Sequence, residues 1–381
     1  MLDGWSVDRP SGPERNRGDA VPCSQSIGFP PQERQYASGL ASSAYGNRQA
    51  HVGGYAGAEP NLAVVKVPDE RLDKLSALFV PQKHTPADVT FVDVAGVAKG
   101  MGQESAAAVV AHLRTVDVLL QVISAFQPGR DARSDYEEFS MEMQLADLGQ
   151  IEKRLDRLGK ELRLGSKGTP QERAAKEREL AVLERLRPVL EAERPIRSVE
   201  LSDEEAKAIS SFGFLTQKPT LVVVNLGDEQ DPSEPVRQLT ELTSAVPLTA
   251  VLALPAKLEM ELGELSPEDA AEFMQALGVS GSRLGEVTSL SYGLAELISF
   301  FTAGEDECRA WTIRRGTNAQ DAAGAIHSDL ARGFIRAEVI RWDQLLEAGS
   351  EAAAKKRGWV RQEGKAYLVQ DGDVLHVLFN I

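Results

Sequence analysis

Between residues 61 and 126 short apolar runs alternate with amphipathic stretches. Residues 61–66 (Asn-Leu-Ala-Val-Val-Lys) predict a strand, and Pro68 stops it. Asp69 then opens a helix that puts Leu72, Leu75 and Leu78 on one face. Residues 88–93 predict a second strand. Gly96, Gly100 and Gly102 mark a loop, 106–114 a helix and 116–126 a third strand region. After a long insertion, residues 220–225 (Thr-Leu-Val-Val-Val-Asn) are almost wholly apolar, and 248–255 read the same way. Apolar strands separated by helices predict a parallel sheet covered on both faces.

The insertion has a different rhythm. Leu145, Leu148, Ile151, Leu155, Leu158 and Leu162 recur at threes and fours, and Leu180, Leu183, Leu186 and Leu190 form a second series. Residues 165–170 (Gly-Ser-Lys-Gly-Thr-Pro) make a turn between them. The pattern predicts an antiparallel, coiled helical hairpin over residues 140–196. Its basic residues slightly outnumber its acids, a local positive bias in an acidic chain. Two readings of that bias stay open: a solvated face laced with ion pairs, or an arm that binds a partner.

From about residue 305 the periods shorten again. Residues 309–313 predict a strand, 319–330 a helix and 335–340 a further strand. Residues 366–370 and 374–379 flank Asp371-Gly372-Asp373, a hairpin signal. Together they suggest a small sheet grasping one helix.

Composition narrows the class. The 381 residues suggest two or three domains. At 42% hydrophobic and 26% charged, the chain is ordinary for a globular protein. No apolar run approaches the roughly 20 residues that span a bilayer, and no apolar signal-peptide core stands at the start. Two cysteines, Cys23 and Cys308, cannot make a disulfide framework. The expectation is therefore a cytoplasmic protein with no membrane partner. Residues 1–26, rich in proline, small residues and charge, read as a disordered extension. The net charge of -15 argues against a DNA-coating protein but leaves room for a local basic patch.

Four passages then carry a resemblance. Residues 67–75 (Val-Pro-Asp-Glu-Arg-Leu-Asp-Lys-Leu) resemble the segment after switch I in the YchF family of Obg-like P-loop NTPases. Residues 91–96 (Phe-Val-Asp-Val-Ala-Gly) resemble its Walker B strand and DxxG turn, and 254–259 (Leu-Pro-Ala-Lys-Leu-Glu) the stretch that closes over the base. Residues 309–313, 333–340 and 369–374 resemble its C-terminal TGS domain. The resemblance covers about residues 60–381. It implies an α/β fold: a P-loop NTPase-like doubly wound sheet (27–139 and 197–304) with an inserted α-helical coiled-coil hairpin (140–196). A C-terminal β-grasp-like TGS domain (305–381) completes it. It implies ATP hydrolysis in preference to GTP, Mg2+ with the nucleotide, and association with ribosomes or structured RNA.

Under that resemblance Asp93 holds magnesium through water, and Gly96 lets the backbone approach a terminal phosphate. Val97 stands where many GTPases place a water-orienting glutamine and cannot hydrogen-bond water, so no catalytic residue is identified. Base choice falls on residues 225–228 (Asn-Leu-Gly-Asp). The usual guanine reader is Asn-Lys-x-Asp. Leu226 replaces its lysine, while Asp228 leaves guanine open by spacing. The resemblance favours adenine, with Phe126 and Leu226 against the ring and Ala256 and Lys257 approaching from the second loop; Asn225 is the retained first residue of the reader.

The phosphate cradle departs from the family. Gly-x-x-x-x-Gly-Lys-Ser/Thr occurs nowhere in the chain. Residues 31–45 stand where that loop and its helix belong, and Gly57 replaces a threonine that ligates magnesium in related NTPases. Either the chain is a degenerate NTPase, or its first 45 residues reflect a sequence or gene-model error. Two functions follow: an Obg-like translation-associated protein hydrolysing ATP, or GTP, and binding ribosomes; or a nucleotide-independent ribosome or RNA adaptor. The candidate partner contacts are Arg163, Lys167 and Arg173 at the hairpin tip and, as a second site, Arg314, Arg315, Arg332 and Arg336 in the C-terminal domain.

Overall fold

The structure, a computed structural model, describes residues 61–94, 103–126, 131–163, 169–227, 230–277 and 283–380. In chain order its elements begin with β1 (Asn61–Lys66), α1 (Glu70–Phe79), β2 (Lys83–Thr85), β3 (Asp88–Asp93), α2 (Gln103–Leu113) and β4 (Leu119–Ser124). Then come α3 (Ala132–Arg163), α4 (Pro170–Glu191), α5 (Asp203–Ile209), β5 (Thr220–Asn225), α6 (Ser233–Thr243) and β6 (Thr249–Leu254). They continue with α7 (Ala256–Glu264), α8 (Pro267–Leu277), α9 (Leu284–Leu294), β7 (Leu297–Thr302) and β8 (Glu307–Arg314). The last are α10 (Ala319–Ile326), α11 (Ser328–Arg332), β9 (Phe334–Arg341), α12 (Trp342–Ala348), α13 (Glu351–Lys356), β10 (Arg361–Glu363) and β11 (Asp373–Phe379). The chain divides into two compact units, one built on residues 91–283 and the other on 64–90 with 284–381. The α/β class with a helical hairpin and a C-terminal sheet is as the sequence implied.

In the first unit β4, β5 and β6 form a parallel sheet with β5 in the centre. Every residue of β5 is buried, which is why that strand reads as an unbroken apolar run. Val222, Val224 and Leu239 pack with Ile123, Ala253 and Tyr136. The second strand expected in this sheet, β3, instead pairs with β1 in a separate two-stranded sheet among the described residues.

The hairpin forms as expected, but its first helix starts at Ala132, ahead of residue 140. Ala132 and Tyr136 pack into the core of the parallel sheet, and Met143 packs beside Leu119 and Leu215. Those turns are anchored to the sheet, so they lie outside the leucine repeat. Farther along, Ile151 and Leu158 meet Leu183, Leu186 and Leu190 across the hairpin. Leu145 breaks the expected series, being 60% exposed. Thr169 and Glu172 make a reciprocal capping box at the start of α4, with Pro170 in its first turn.

Asp147 of α3 fixes the arm to the body. Fully buried, its carboxylate accepts from the Leu215 and Thr216 backbone N–H groups at 3.1 and 2.8 Å and from the Thr216 hydroxyl at 2.9 Å. Arg114, just past α2, donates to it at 3.1 Å and also to the carbonyls of Ala146, Phe212 and Gly213. Burial still pushes the Asp147 carboxyl up from its ordinary value, against those hydrogen bonds.

In the second unit six strands run in the order β10-β9-β11-β7-β8-β2. The sheet already includes β7 from Leu297, ahead of residue 305, and recruits β2, which lies more than 200 residues earlier, parallel to β8. Alternation sends Ile298 and Phe300 to one face and Phe301 to the other, each into its own core. Ala319, Ala322 and Ala323 lay α10 close against the first of these faces. The single helix expected over 319–330 is split, because His327 is extended and its Nδ1 accepts from Asp329 N–H to start α11.

The terminal hairpin does not form. β11 pairs antiparallel with β9 and parallel with β7, while Leu368 makes one isolated bridge to Asn318. The Asp-Gly turn itself is present, with Gly372 at φ +88. Its backbone is spoken for elsewhere: Gly372 N–H donates to Ser299 O, and Trp342 N–H donates to Gly372 O. A Cβ at Gly372 would lie 2.7 Å from Trp342 Cδ1, so the position needs glycine for both reasons.

Candidate functional site

β4, β5 and β6 run parallel and in register, so Ser124, Asn225 and Leu254 end side by side. The segments leaving those ends carry Phe126, Leu226 with Gly227, and Ala256 with Lys257. Ligands of open α/β sheets bind at the carboxyl ends of such strands. The structure thus brings together the base-site candidates that it describes, although the chain separates them by as many as 131 positions, from Phe126 to Lys257.

Hydrogen bonds hold this edge. The buried Asn225 side chain accepts from the Ala256 backbone N–H at 2.9 Å and so ties the end of β5 to the start of α7. Ala125 N–H donates to Asn225 O, and Leu226 N–H donates to Leu254 O. Gln230 bridges two loops: its side-chain oxygen accepts from Gly227 N–H at 3.2 Å, and its amide nitrogen donates to Ala125 O at 3.2 Å. Sequence reading missed Gln230, because no spacing rule signals a side chain that returns to two loops. Arg283 was missed likewise; it donates to Ala253 O at 2.9 Å, and its N–H meets the buried Glu259 carboxylate at 2.8 Å.

The ring contacts divide. Phe126 is half-buried, and its Cβ lies 3.5 Å from where a Gly227 Cβ would stand. Leu226 is 6% exposed and belongs to the core with Tyr136 and Leu239, so it forms the floor of the edge rather than its open face. Ala256 is buried, and Lys257 is half-exposed with Glu261 at 3.8 Å. Gly96 and Asp228 lie outside the described residues.

Asp93, 3% exposed, ends β3 in the same unit. No group of three or more His, Cys, Asp or Glu side chains is placed to hold a metal among the described residues. A buried carboxylate at a strand end is the kind of oxygen ligand that Mg2+ takes beside waters and substrate phosphates.

The partner candidates are divided between the two units. Arg163 ends α3 exposed, and Arg173 lies in an i,i+4 pair with Glu177 at 2.9 Å. Lys167 lies outside the described residues. Cross-hairpin pairs use up more of the charge: Arg154 meets Glu179 at 2.6 Å and Lys176 meets Glu161 at 2.9 Å, holding the Glu161 carboxyl below its ordinary value. Exposed Lys153, Arg157 and Lys160 fall on the stripe opposite the buried Ile151 and Leu158. In the second unit Arg332 pairs with Asp329. Arg314 ends β8 while Arg336 lies near the start of β9, and those strands run parallel three places apart. At a rise of about 3.3 Å per residue the two arginines are roughly 26 Å apart along the strands, so Arg314 and Arg315 occupy one end of the sheet and Arg332 and Arg336 the other.

Comparison with known proteins agrees with the layout. The family model YchF-GTPase_C, described as a protein of unknown function (DUF933), matches residues 297–380. The ribosome-binding ATPase YchF of Bacillus subtilis (strain 168) is 39% identical over 337 residues, covering 85% of this chain and 90% of that protein. Its namesake from Escherichia coli O157:H7 is 36% identical over 333 residues, with the same shares. Among solved structures, the Schizosaccharomyces pombe YchF GTPase superposes with a TM-score of 0.75 at 30% identity, covering 92% of this chain and 96% of that one. Similarity at this level over most of both chains establishes that this chain is a member of the YchF family.

Proposed function

We propose that the chain is a translation-associated nucleotide-binding protein that binds ribosomes and descends from ATP-hydrolysing relatives. The observation that carries this reading is the tied edge at Asn225 and Ala256, where one buried side chain holds the end of β5 to the start of α7 at the carboxyl ends of a parallel sheet. Its support from outside the chain is the similarity to relatives named ribosome-binding ATPase. In this reading Phe126 lies against the base, and Ala256 and Lys257 bound its far side. Asp93 would hold Mg2+ through water, which supplies charge neutralisation between phosphates. Residues 27–139 and 197–296 would belong to the nucleotide-binding domain, 140–196 to the arm, and 297–381, from β7 on, to the TGS domain.

One observation favours a second reading. No Gly-x-x-x-x-Gly-Lys-Ser/Thr is present, and the loop amides and lysine of that motif normally carry phosphate charge. On that reading the chain is a ribosome adaptor with an idle pocket. Calorimetry with Mg-ATP and Mg-GTP, run beside ribosome co-sedimentation with and without nucleotide, separates the two. Micromolar ATP binding that alters sedimentation supports the first reading. Sedimentation indifferent to nucleotide, with no heat of binding, supports the second. Failure to sediment with ribosomes at low salt refutes both.

A further inference from the structure

A cavity of about 420 Å³ lies at the base of the arm. It sits at the opposite end of the parallel sheet from the nucleotide edge: Leu119 and Thr220, the first residues of β4 and β5, line it. Five residue rises of about 3.3 Å put the two ends roughly 17 Å apart. Its volume falls in the range of small-molecule pockets, about 300–1,000 Å³. Phe139, Met143, Leu215, Leu242 and Val246 give it apolar walls. Met141, on the same arm helix, reaches it and is 50% exposed, which makes an apolar mouth.

One cation lines this apolar space. Arg197 donates from Nε to Pro247 O at 3.2 Å, from Nη1 to Thr216 O at 3.2 Å, and from Nη2 to the Thr249 hydroxyl at 3.3 Å. All three acceptors are neutral, and among the described residues no carboxylate lies within ion-pair distance of it. Five donors less these three leave one N–H on each terminal nitrogen, one of them facing the Tyr136 hydroxyl. The Tyr136 hydroxyl stands beside the guanidinium and lines the same cavity. Of the acids along the wall, Glu137 is held by Arg133 at 2.8 Å and Glu193 is exposed. Burial lowers the pKa of Arg197, the signature of a cation that lacks an anion.

We propose that this cavity is a second ligand site that takes a small apolar carboxylate, its head on Arg197 and Tyr136 and its body along Phe139, Met143 and Leu242. Two or three donors in one place match the two oxygens of a carboxylate, whereas a phosphate dianion presents more acceptors than the cavity can serve. The site touches the arm helix, the return from the arm and the start of the sheet, so an occupant would brace the arm from below. This assignment stands apart from the nucleotide reading and does not depend on it.

The test is calorimetry on the full chain with sodium octanoate, 1-octanol and octyl phosphate. Saturable binding of one octanoate per chain is expected. Arg197→Met should weaken it by about tenfold or more, the value of a charge-assisted contact. Val246→Trp fills the cavity without touching the charge and should abolish binding. Absence of saturable octanoate binding overturns the proposal, as does octanol binding as tightly as octanoate. Tighter binding of octyl phosphate overturns the carboxylate assignment. Should Arg197→Met fail to fold by circular dichroism, folded Val246→Trp decides: unchanged octanoate affinity in that variant puts the ligand elsewhere.

Discussion

Replacing Asp147 with alanine should loosen the arm from the body. The carboxylate is fully buried and accepts four hydrogen bonds, two of them from the Leu215 and Thr216 backbone amides. Each buried donor left without a partner costs about 1–3 kcal/mol, so the two amides alone set a loss of about 2–6 kcal/mol. Two effects pull the figure down. Arg114 keeps its carbonyl partners, and burial of the charged carboxylate is itself unfavourable, as its raised pKa records. A net loss of about 3 kcal/mol follows, at the lower end for breaking a buried pair. Arg114→Met leaves the buried carboxylate without its cation and should cost a comparable amount, about 3 kcal/mol, and the double variant should fall short of the sum, because the residues share one network. Hydrogen exchange reads the effect where it arises. If local opening governs exchange, the Leu215 and Thr216 amides should exchange on the order of 100-fold faster in Asp147→Ala. Exchange within about twofold of wild type at both amides would refute the claim that this carboxylate carries the junction.

Other outcomes follow from the same geometry. Gly372→Ala forces a side chain onto φ +88 and against Trp342 at 2.7 Å, and should lower stability of the C-terminal unit by about 1–3 kcal/mol in urea titration. Burial and the Asp373 carboxylate push Tyr367 up to about 12 from its ordinary 10.0. A raised folded value means its contribution is complete below 10.0 and is lost as pH rises through 12, so wild type should lose stability in that window and Tyr367→Phe should show a flatter alkaline limb. Asn225→Ala removes the acceptor for Ala256 N–H and should cost about 1–3 kcal/mol, with any measured nucleotide affinity falling alongside. Changing Arg163, Lys167 and Arg173 to Glu should release the protein from ribosomes in co-sedimentation with little change in melting temperature, because Arg173 holds only an exposed i,i+4 pair.

Local chemistry was legible wherever one stretch of chain answers to its own neighbours. β3 and β5 fall on the residues the alternation named, and Asp69 caps α1 as its position suggested. The residues that gather at the ends of β4, β5 and β6 were readable because the loops that leave parallel strands are short and fixed in place by the strands. Gln230 and Arg283 were not readable, since their function depends on carbonyls supplied by other strands.

The sequence by itself determined the α/β alternation, the leucine seam of the arm, the Asp-Gly turn and the absence of a phosphate-binding lysine motif. Each depends on residue type at fixed spacing, which needs no partner from elsewhere. Tertiary structure alone decided which strands pair. Gly372 turns as its type demands, yet the strand after it joins β9 and β7, because those edges bury Val374 and Leu375 and residues 366–370 offer no comparable edge. It alone decided which arm charges are spent, since Arg154 finds Glu179 25 positions away only when the helices fold back. It alone built the cavity around Arg197, whose walls come from residues 119 to 246 and exist only once arm and sheet are packed.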